Sequence, residues 1–422
     1  MYLYAMALNI LMLCTKFPWP PKDGGAIAML NMVRAFHKAG HKVTVLSMNT
    51  PKHYIFLRNL PEDIQELAEF YAVDVDTKVK VLDMLANFLF SKESYHVKRF
   101  TSQHFREELL KVLNRHKFDV VQLETLYMAP YISTIRQQAP KALIALRAHN
   151  IEHEIWWRRA NNEYNPFKKY LFAETAVRIR TYEEEVIGGN QYDILVPITG
   201  RDSGMLKSMG AASPMYVCPV GMDLDALQPA PDVEMEYPSV FYIGALDWEP
   251  NREGLDWFLK EVWPIVHGTF PEVRLYLAGR NMPGKYLALD KQNIVPLGEV
   301  PSARDFIQSK AVMVVPILSG SGMRVKIVEG MAYGKAVVAT HMAAEGLGAY
   351  HTNHIMLADS PADFADRVNI LLEQRALYDT IADHAKSFVR RKFNNDKLMA
   401  GLISFYQKQI KAREEKEKKE KE

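Results

Sequence analysis

Apolar positions along this chain gather into short continuous runs, and amphipathic stretches separate the runs almost from end to end. The first series of runs covers 8–15, 41–47, 119–123, 142–147 and 193–199. Continuous apolar runs of this length predict strands buried on both faces rather than strands with one wet side. Between them, 26–39 and 105–115 repeat apolar residues at helical spacing. A second series runs over 239–246, 274–278, 293–297, 311–316, 336–340 and 354–357. Its helices are expected at 252–267, 303–308 and 323–332, followed by closing helices at 361–374, 376–392 and 396–411. Such alternation predicts right-handed βαβ units and parallel sheets covered on both sides, an α/β chain of two tandem Rossmann-like, doubly wound domains. The stretch 51–103 lacks clear alternation and is expected to hold helices with irregular connections.

The segment 200–236 carries Pro214, Pro219, Pro229 and Pro231, which places the inter-domain connection there. The first domain is expected over 1–200 and the second over 201–394, with a last helix over 395–411. Residues 412–422, nearly all Lys and Glu, form a solvated helix extension or a frayed tail. Tandem doubly wound domains are expected to leave a cleft at the carboxyl ends of their strands, where ligands bind.

Composition narrows the class. A chain of 422 residues with 48% hydrophobic and 24% charged residues has room for two ordinary globular domains. A formal charge of +2 gives no reason to expect nucleic acid. Two cysteines, Cys14 and Cys218, allow no disulfide framework, so a reducing, cytoplasmic setting fits. The apolar N-terminus lacks a basic leader, so it reads as a buried strand and not as a signal peptide, with Met1 or Met6 as the start. No run of about 20 apolar residues predicts a spanning helix.

The segment Gly320–Thr340 is richest in candidate chemistry. Gly320 and Gly322 let the backbone approach a ligand, and a helix begins near Met323. Its first-turn amides and positive dipole end favour phosphate. Arg324 and Lys326 add fixed positive charge, and Glu329 further along could accept from a sugar diol. Phosphate donors at the tip with a diol acceptor beyond suit a nucleoside diphosphate. A polar helix start with a surface Glu is the plain alternative. Gly24-Gly25 after the first strand is a second turn of the same kind, able to bring amides to an anion.

Other patterns weigh less. His149-Asn-Ile-Glu-His153 spells H-x-x-E-H, but His149 caps a strand, so a zinc site is not expected. His149 suits a sugar hydroxyl, and Glu152 and His153 suit local helix-start contacts. Asp74-Val-Asp76 and Asp223-Leu-Asp225 have metal-binding spacing without a strong preceding strand, and read as solvated or turn residues. Lys98-Arg99 beside Phe100 reads as a solvated helix face, with a membrane or an anionic acceptor as the alternative partner. Gly334 reads as a helix C-cap.

Taken together, several segments make the chain resemble the GT-B glycosyltransferases, specifically the large retaining "family four" group. They are Gly24-Gly25, Arg147–Glu152, Pro219–Asp223, Tyr242–Asn251, Leu277–Arg280, Gly320–Thr340 and Glu345–Leu347. The resemblance implies a nucleotide-sugar donor held by the second domain and a sugar or glycolipid acceptor held by the first. It implies that Glu329 takes the ribose hydroxyls, Gly25 contacts the diphosphate and His149 lies near the donor sugar. It further places Gly24, Gly244, Arg280, Gly320, Ser321 and Gly322 around the donor, and Leu297 and Val300 near the base. The last helix would cross back onto the first domain. Two departures stand out: Ser321 replaces the first glutamate of the usual pair, and Gly244–Asn251 lacks the usual Arg/Lys pair. Arg324 and Lys326, in a G-x-R-x-K-x-x-E pattern, could supply that charge from the helix.

The expectation is a metal-independent, retaining glycosyltransferase without a bound cofactor, with Arg324, Lys326 and His149 as its catalytic residues. A GT-B sugar-nucleotide epimerase and a non-catalytic nucleotide-sugar-binding protein are the alternatives. By analogy it would serve polysaccharide or glycoconjugate biosynthesis, with peripheral contact at the inner membrane face.

Overall fold

Every run of the first series becomes a strand in a computed structural model, which describes residues 7–21, 23–224, 227, 233–320 and 322–420. The chain divides into two units, 1–221 with 395–422, and 222–394. The first unit holds β1 (Asn9–Cys14), β2 (Lys42–Asn49), β3 (Glu69–Asp74), β4 (Val120–Glu124), β5 (Leu143–Ala148) and β6 (Ile194–Pro197). They form one sheet in the order β3-β2-β1-β4-β5-β6, parallel throughout. The order reverses between β1 and β4, so the turn after β1 and the end of β4 open onto the same crevice.

In the second unit, β7 (Val240–Ile243), β8 (Leu275–Ala278), β9 (Ile294–Gly298), β10 (Val312–Val315), β11 (Val337–Ala339) and β12 (Met356–Leu357) repeat the plan. Their order is β12-β11-β10-β7-β8-β9, again parallel, with the reversal between β10 and β7. The Gly320–Gly322 turn follows β10 and Gly244 follows β7. Both glycine elements therefore stand at the switch point of this sheet.

Each sheet is covered on both faces. One face of the first packs Phe105, Leu109 and Tyr131 against Leu11, Leu13 and Leu123. The other packs Met29, Val33 and Phe36 of the Gly24–Lys38 helix, with Met399, Leu402 and Tyr406 of the Asn395–Lys419 helix, against Ile10, Met12 and Val45. The last helix thus completes the core of the first unit. It runs unbroken to Lys419, so the charged tail is a helix extension; residues 421–422 lie outside the described residues.

Three expectations change. The stretch 51–103 contains β3, an edge strand paired with β2 and half exposed along most of its length. The first unit extends to 221 instead of 200, because the segment after the Gly200–Ser208 helix still bonds to β6. Leu195 N–H donates to the Pro214 carbonyl at 3.0 Å and Cys218 N–H to the Pro197 carbonyl at 2.9 Å. Pro229 and Pro231 lie outside the described residues. The helix expected at 252–267 is three pieces, Glu249–Trp257, a π-helical Phe258–Val262 and Trp263–Thr269. Pro264 lacks an amide hydrogen, and a π turn just before it absorbs the missing bond.

Leu402→Ala tests the place of the last helix. This fully buried side chain lies in the first unit's core. Its loss costs about 2–5 kcal/mol in urea unfolding, confined to the transition of the first unit.

Candidate functional site

In the second unit the site is assembled at the ends of β7 and β10. Gly320 and Gly322 have φ of 97° and 84°, left-handed values that favour glycine. They turn the chain ahead of Arg324, which stays extended, and the helix begins at Val325, two residues later than expected. Among the described residues no side chain caps this helix start. Ser321 lies outside the described residues.

Arg324 is buried, and it braces the turn. Its Nη1 donates to the Gly322 carbonyl at 3.0 Å, Nη2 to the Ser319 carbonyl at 3.4 Å, and its guanidinium lies 5.3 Å from the Trp248 ring centre. Lys326 donates to Asn251 Oδ1 at 3.0 Å and reaches the Ile243 carbonyl, the last of β7, at 3.5 Å. Asn251 is held in turn by its Nδ2 on the Ala245 carbonyl at 2.7 Å. Gly244 leaves the room: a Cβ there would stand 2.9 Å from Tyr242 Oη and 3.2 Å from Lys326 Nζ. So the charge missing from the segment after β7 is delivered there from the helix. It is not the fixed charge expected, because burial and then the Arg324 charge bring the Lys326 ammonium down to about 7.

Glu329 follows Lys326 by three residues on the same helix, hence on the same side. Its carboxylate makes no hydrogen bond or ion pair with any described residue, and burial raises its pKa. A half-buried carboxylate without donors is costly unless a ligand brings them. Arg280 joins the loops after β7 and β8, its carbonyl accepting from Leu246 N–H at 2.9 Å. Leu297 is exposed on β9 and Val300 half-buried just beyond, two strands along from β7.

In the first unit, Gly24 and Gly25 open the helix after β1. Part of their expected role is already filled: Asp23 accepts from Ala26 N–H at 3.0 Å and from Lys16 Nζ at 2.5 Å. His149 follows β5, and its Nε2 lies 2.6 Å from Glu124 Oε2. Glu124, at the end of β4, also accepts from Arg147 Nη1 at 3.2 Å and from the Gln122 amide. Gln122 Oε1 accepts from Tyr406 Oη at 2.6 Å. Burial pushes the Glu124 carboxyl up, but Arg147 and His149 outweigh it and hold it at about 2. Burial lowers His149 against the pull of Glu124. A carboxylate only accepts, so Nε2 carries the imidazole proton and Nδ1 is left as an acceptor, suited to a sugar hydroxyl.

The remaining motifs separate from this site. His153 Nδ1 pairs with Glu183 Oε2 at 2.7 Å, and Glu183 also accepts from the amides of Glu152 and His153 at 3.1 and 3.3 Å. The two histidines of H-x-x-E-H thus serve different carboxylates, and Glu152 and His153 make the helix-start contacts expected. Burial and the neighbouring Glu183 raise Glu152 to about 7, with Tyr127 Oη donating to it at 3.0 Å. Contrary to expectation, Asp74 does end a strand, β3, where it accepts from Asn49 Nδ2 at 2.9 Å. Asp225 lies outside the described residues. Arg99 is no solvated face either, since its guanidinium turns in to the Thr77 carbonyl. Sequence reading assigned no role to Lys16, Glu124, Asn251, Trp248 or Tyr406. Only Glu124, a lone carboxylate closing an apolar strand, carried a local signal.

Tyr406→Phe removes the hydroxyl that satisfies buried Gln122. The expected cost is about 1–3 kcal/mol, measured by thermal or urea unfolding.

Residues 237–374 match the family described as "Glycosyl transferases group 1". A curated relative, an uncharacterized 44.6 kDa protein in the cps region of Klebsiella pneumoniae, is 22% identical over 405 residues, covering 94% of this chain and 99% of its own length. Sucrose-phosphate synthase from Thermosynechococcus elongatus superposes with a TM-score of 0.70 at 14% identity, over 96% of this chain and all of its own. HepE of Anabaena in complex with UDP superposes with a TM-score of 0.63 at 12% identity, over 94% of this chain and 99% of its own. With its two six-stranded parallel sheets, the chain has the GT-B fold of these proteins, and its second unit carries the match to the group 1 glycosyl transferases.

Proposed function

We propose that the chain transfers a sugar from a nucleoside diphosphate sugar to an acceptor hydroxyl, with retention and without a metal. One helix carries the reading. Val325–Ala332 begins beside Arg324 and Lys326 and holds, a turn later, the Glu329 carboxylate, which has no partner among the described residues. A nucleoside diphosphate supplies both complements, a pyrophosphate for the cations and helix start, and a ribose diol to donate to the carboxylate. HepE structures that contain UDP or UDP-glucose support a donor of this class. The relative from the cps region supports a setting in polysaccharide or glycoconjugate assembly.

In this reaction negative charge builds on the leaving diphosphate as the sugar becomes oxocarbenium-like. Arg324, Lys326 and the amides at Gly322 and Gly25 are assigned to that charge. Same-face attack needs no protein nucleophile. His149, neutral with Nδ1 accepting, is assigned to orient a donor-sugar hydroxyl. Leu297 and Val300 are assigned to the base, and Gly244 leaves room for the phosphates beside Lys326.

Two outcomes are expected. Lys326→Ala lowers turnover by about two orders of magnitude or more, measured with a panel of nucleotide sugars and acceptors, and chelator treatment leaves turnover of the intact protein unchanged. Epimerised donor without acceptor consumption, or binding without turnover, would overturn the transferase reading. The second concerns protons. Lys326 titrates near 7 in the free protein, and a pyrophosphate beside it favours the charged form. Its pKa therefore rises on binding, so above pH 7 Lys326 takes up a proton as UDP binds, and UDP binds less tightly as pH climbs from about 7 toward the bound-state pKa. Calorimetry in buffers of different ionisation heat measures this uptake, which Lys326→Met abolishes.

A further inference from the structure

The Val81–Phe90 helix of the first unit exposes large apolar side chains. Leu82, Ala86, Leu89 and Phe90 fall on one face by their spacing of three and four, and Leu82 and Phe90 are 82% and 87% exposed. Asn87 is buried, and Met84 and Phe88 are half-buried beside it. The exposed apolar residues stand where the outer face of a surface helix is usually polar. The helix is firmly placed: Arg178, from the Pro166–Gly188 helix, donates to the carbonyls of Asn87, Phe88 and Ser91 at 3.2, 2.9 and 2.8 Å. Phe88 packs edge-on against Tyr170, ring centres 6.0 Å apart. Through that contact the helix adjoins exposed Tyr170, with Phe167 and fully exposed Tyr164 just before it in the chain.

Lysines are interleaved with these groups. Lys78 and Lys80 precede the first helix, Lys92 follows it, and Lys168 and Lys169 stand between Phe167 and Tyr170, all exposed. The acids of the same stretches are Asp83, Glu93 and Glu163, and Asp76 pairs with Lys80 at 3.4 Å. Protein interfaces are depleted in lysine at their cores. A phospholipid surface takes this mixture, with apolar and aromatic side chains at the acyl boundary and lysines among the phosphates. A ten-residue helix is too short to cross a bilayer, and among the described residues no helix is long and apolar enough to do so.

We propose that the Val81–Phe90 helix and the start of the Pro166–Gly188 helix form a docking surface for an anionic lipid bilayer, on which the first unit lies without inserting a span. This rests on the surface alone and not on the reading of the nucleotide site. It also moves the membrane contact away from Lys98–Phe100, where Arg99 is turned inward and Phe100 stacks on Tyr127.

The test is cosedimentation of the full chain with vesicles of phosphatidylcholine alone or mixed with phosphatidylglycerol. Binding to the mixed vesicles is expected, weaker at high salt and weak on phosphatidylcholine alone. Leu89→Ser with Phe90→Ser should reduce it at least tenfold with an unchanged melting temperature, since both side chains are exposed. Lys168→Glu with Lys169→Glu should remove the preference for anionic lipid. Absent vesicle binding, binding unaltered by the serine pair, or self-association in sedimentation velocity that the serine pair dissolves without any lipid binding would each overturn the proposal.

Discussion

Parallel strands buried on both faces leave little room for polar groups along their length, and one that does lie there, Gln122 of β4, needs a buried partner in Tyr406. Ile10, Leu11, Met12 and Leu13 of β1, and Val312 through Val315 of β10, are wholly inaccessible. Charged and hydrogen-bonding groups are therefore driven to the strand ends, and there the sheet order decides which of them meet. At the reversal in the first unit these are Glu124 and the Lys16–Gly25 turn, with Arg147 and His149 on the next strand along. At the reversal in the second they are Gly244 and the Gly320–Gly322 turn that starts the helix of Arg324 and Lys326.

Within that constraint, the same positive charge can be delivered by different elements. The segment after β7 carries Asp247 and Glu249, yet an ammonium stands at its start because Lys326 reaches across to Asn251 and the Ile243 carbonyl. The burial that allows this reach also depresses the ammonium, and Arg324 beside it adds to the effect. Arg324 braces the turn through the carbonyls of Ser319 and Gly322. One cation holds the geometry, and the other answers to what arrives.

The fold was largely legible because a two-sided buried strand leaves a continuous apolar run, and the glycine turn with its helix was legible because its elements are local. Edge strand β3 escaped because Glu69, Phe70, Tyr71 and Ala72 face partly outward and blur the run. The first unit's true limit at 221 escaped because prolines mark a linker in sequence, while the Pro214 carbonyl still accepts a sheet hydrogen bond. Asn251 as the partner of Lys326, and Tyr406 as the partner of Gln122, were not legible at all. Such pairs lie 75 and 284 residues apart, and nothing local announces them. The capping role of Asp23 was missed for a smaller reason: an aspartate before two glycines looks like turn punctuation until its carboxylate is seen on the Ala26 amide.

The last helix lends the architecture a temporal side. Met29, Val33 and Phe36 share their cover with Met399, Leu402 and Tyr406, which are made only after the whole intervening unit. As the chain leaves the ribosome, one flank of the first sheet is only partly covered, by the Gly24–Lys38 helix, until the final turns emerge. Contacts of such long loop span form slowly. Maturation of this half therefore waits on completion of synthesis, while residues 222–394 have all their own strands in hand earlier.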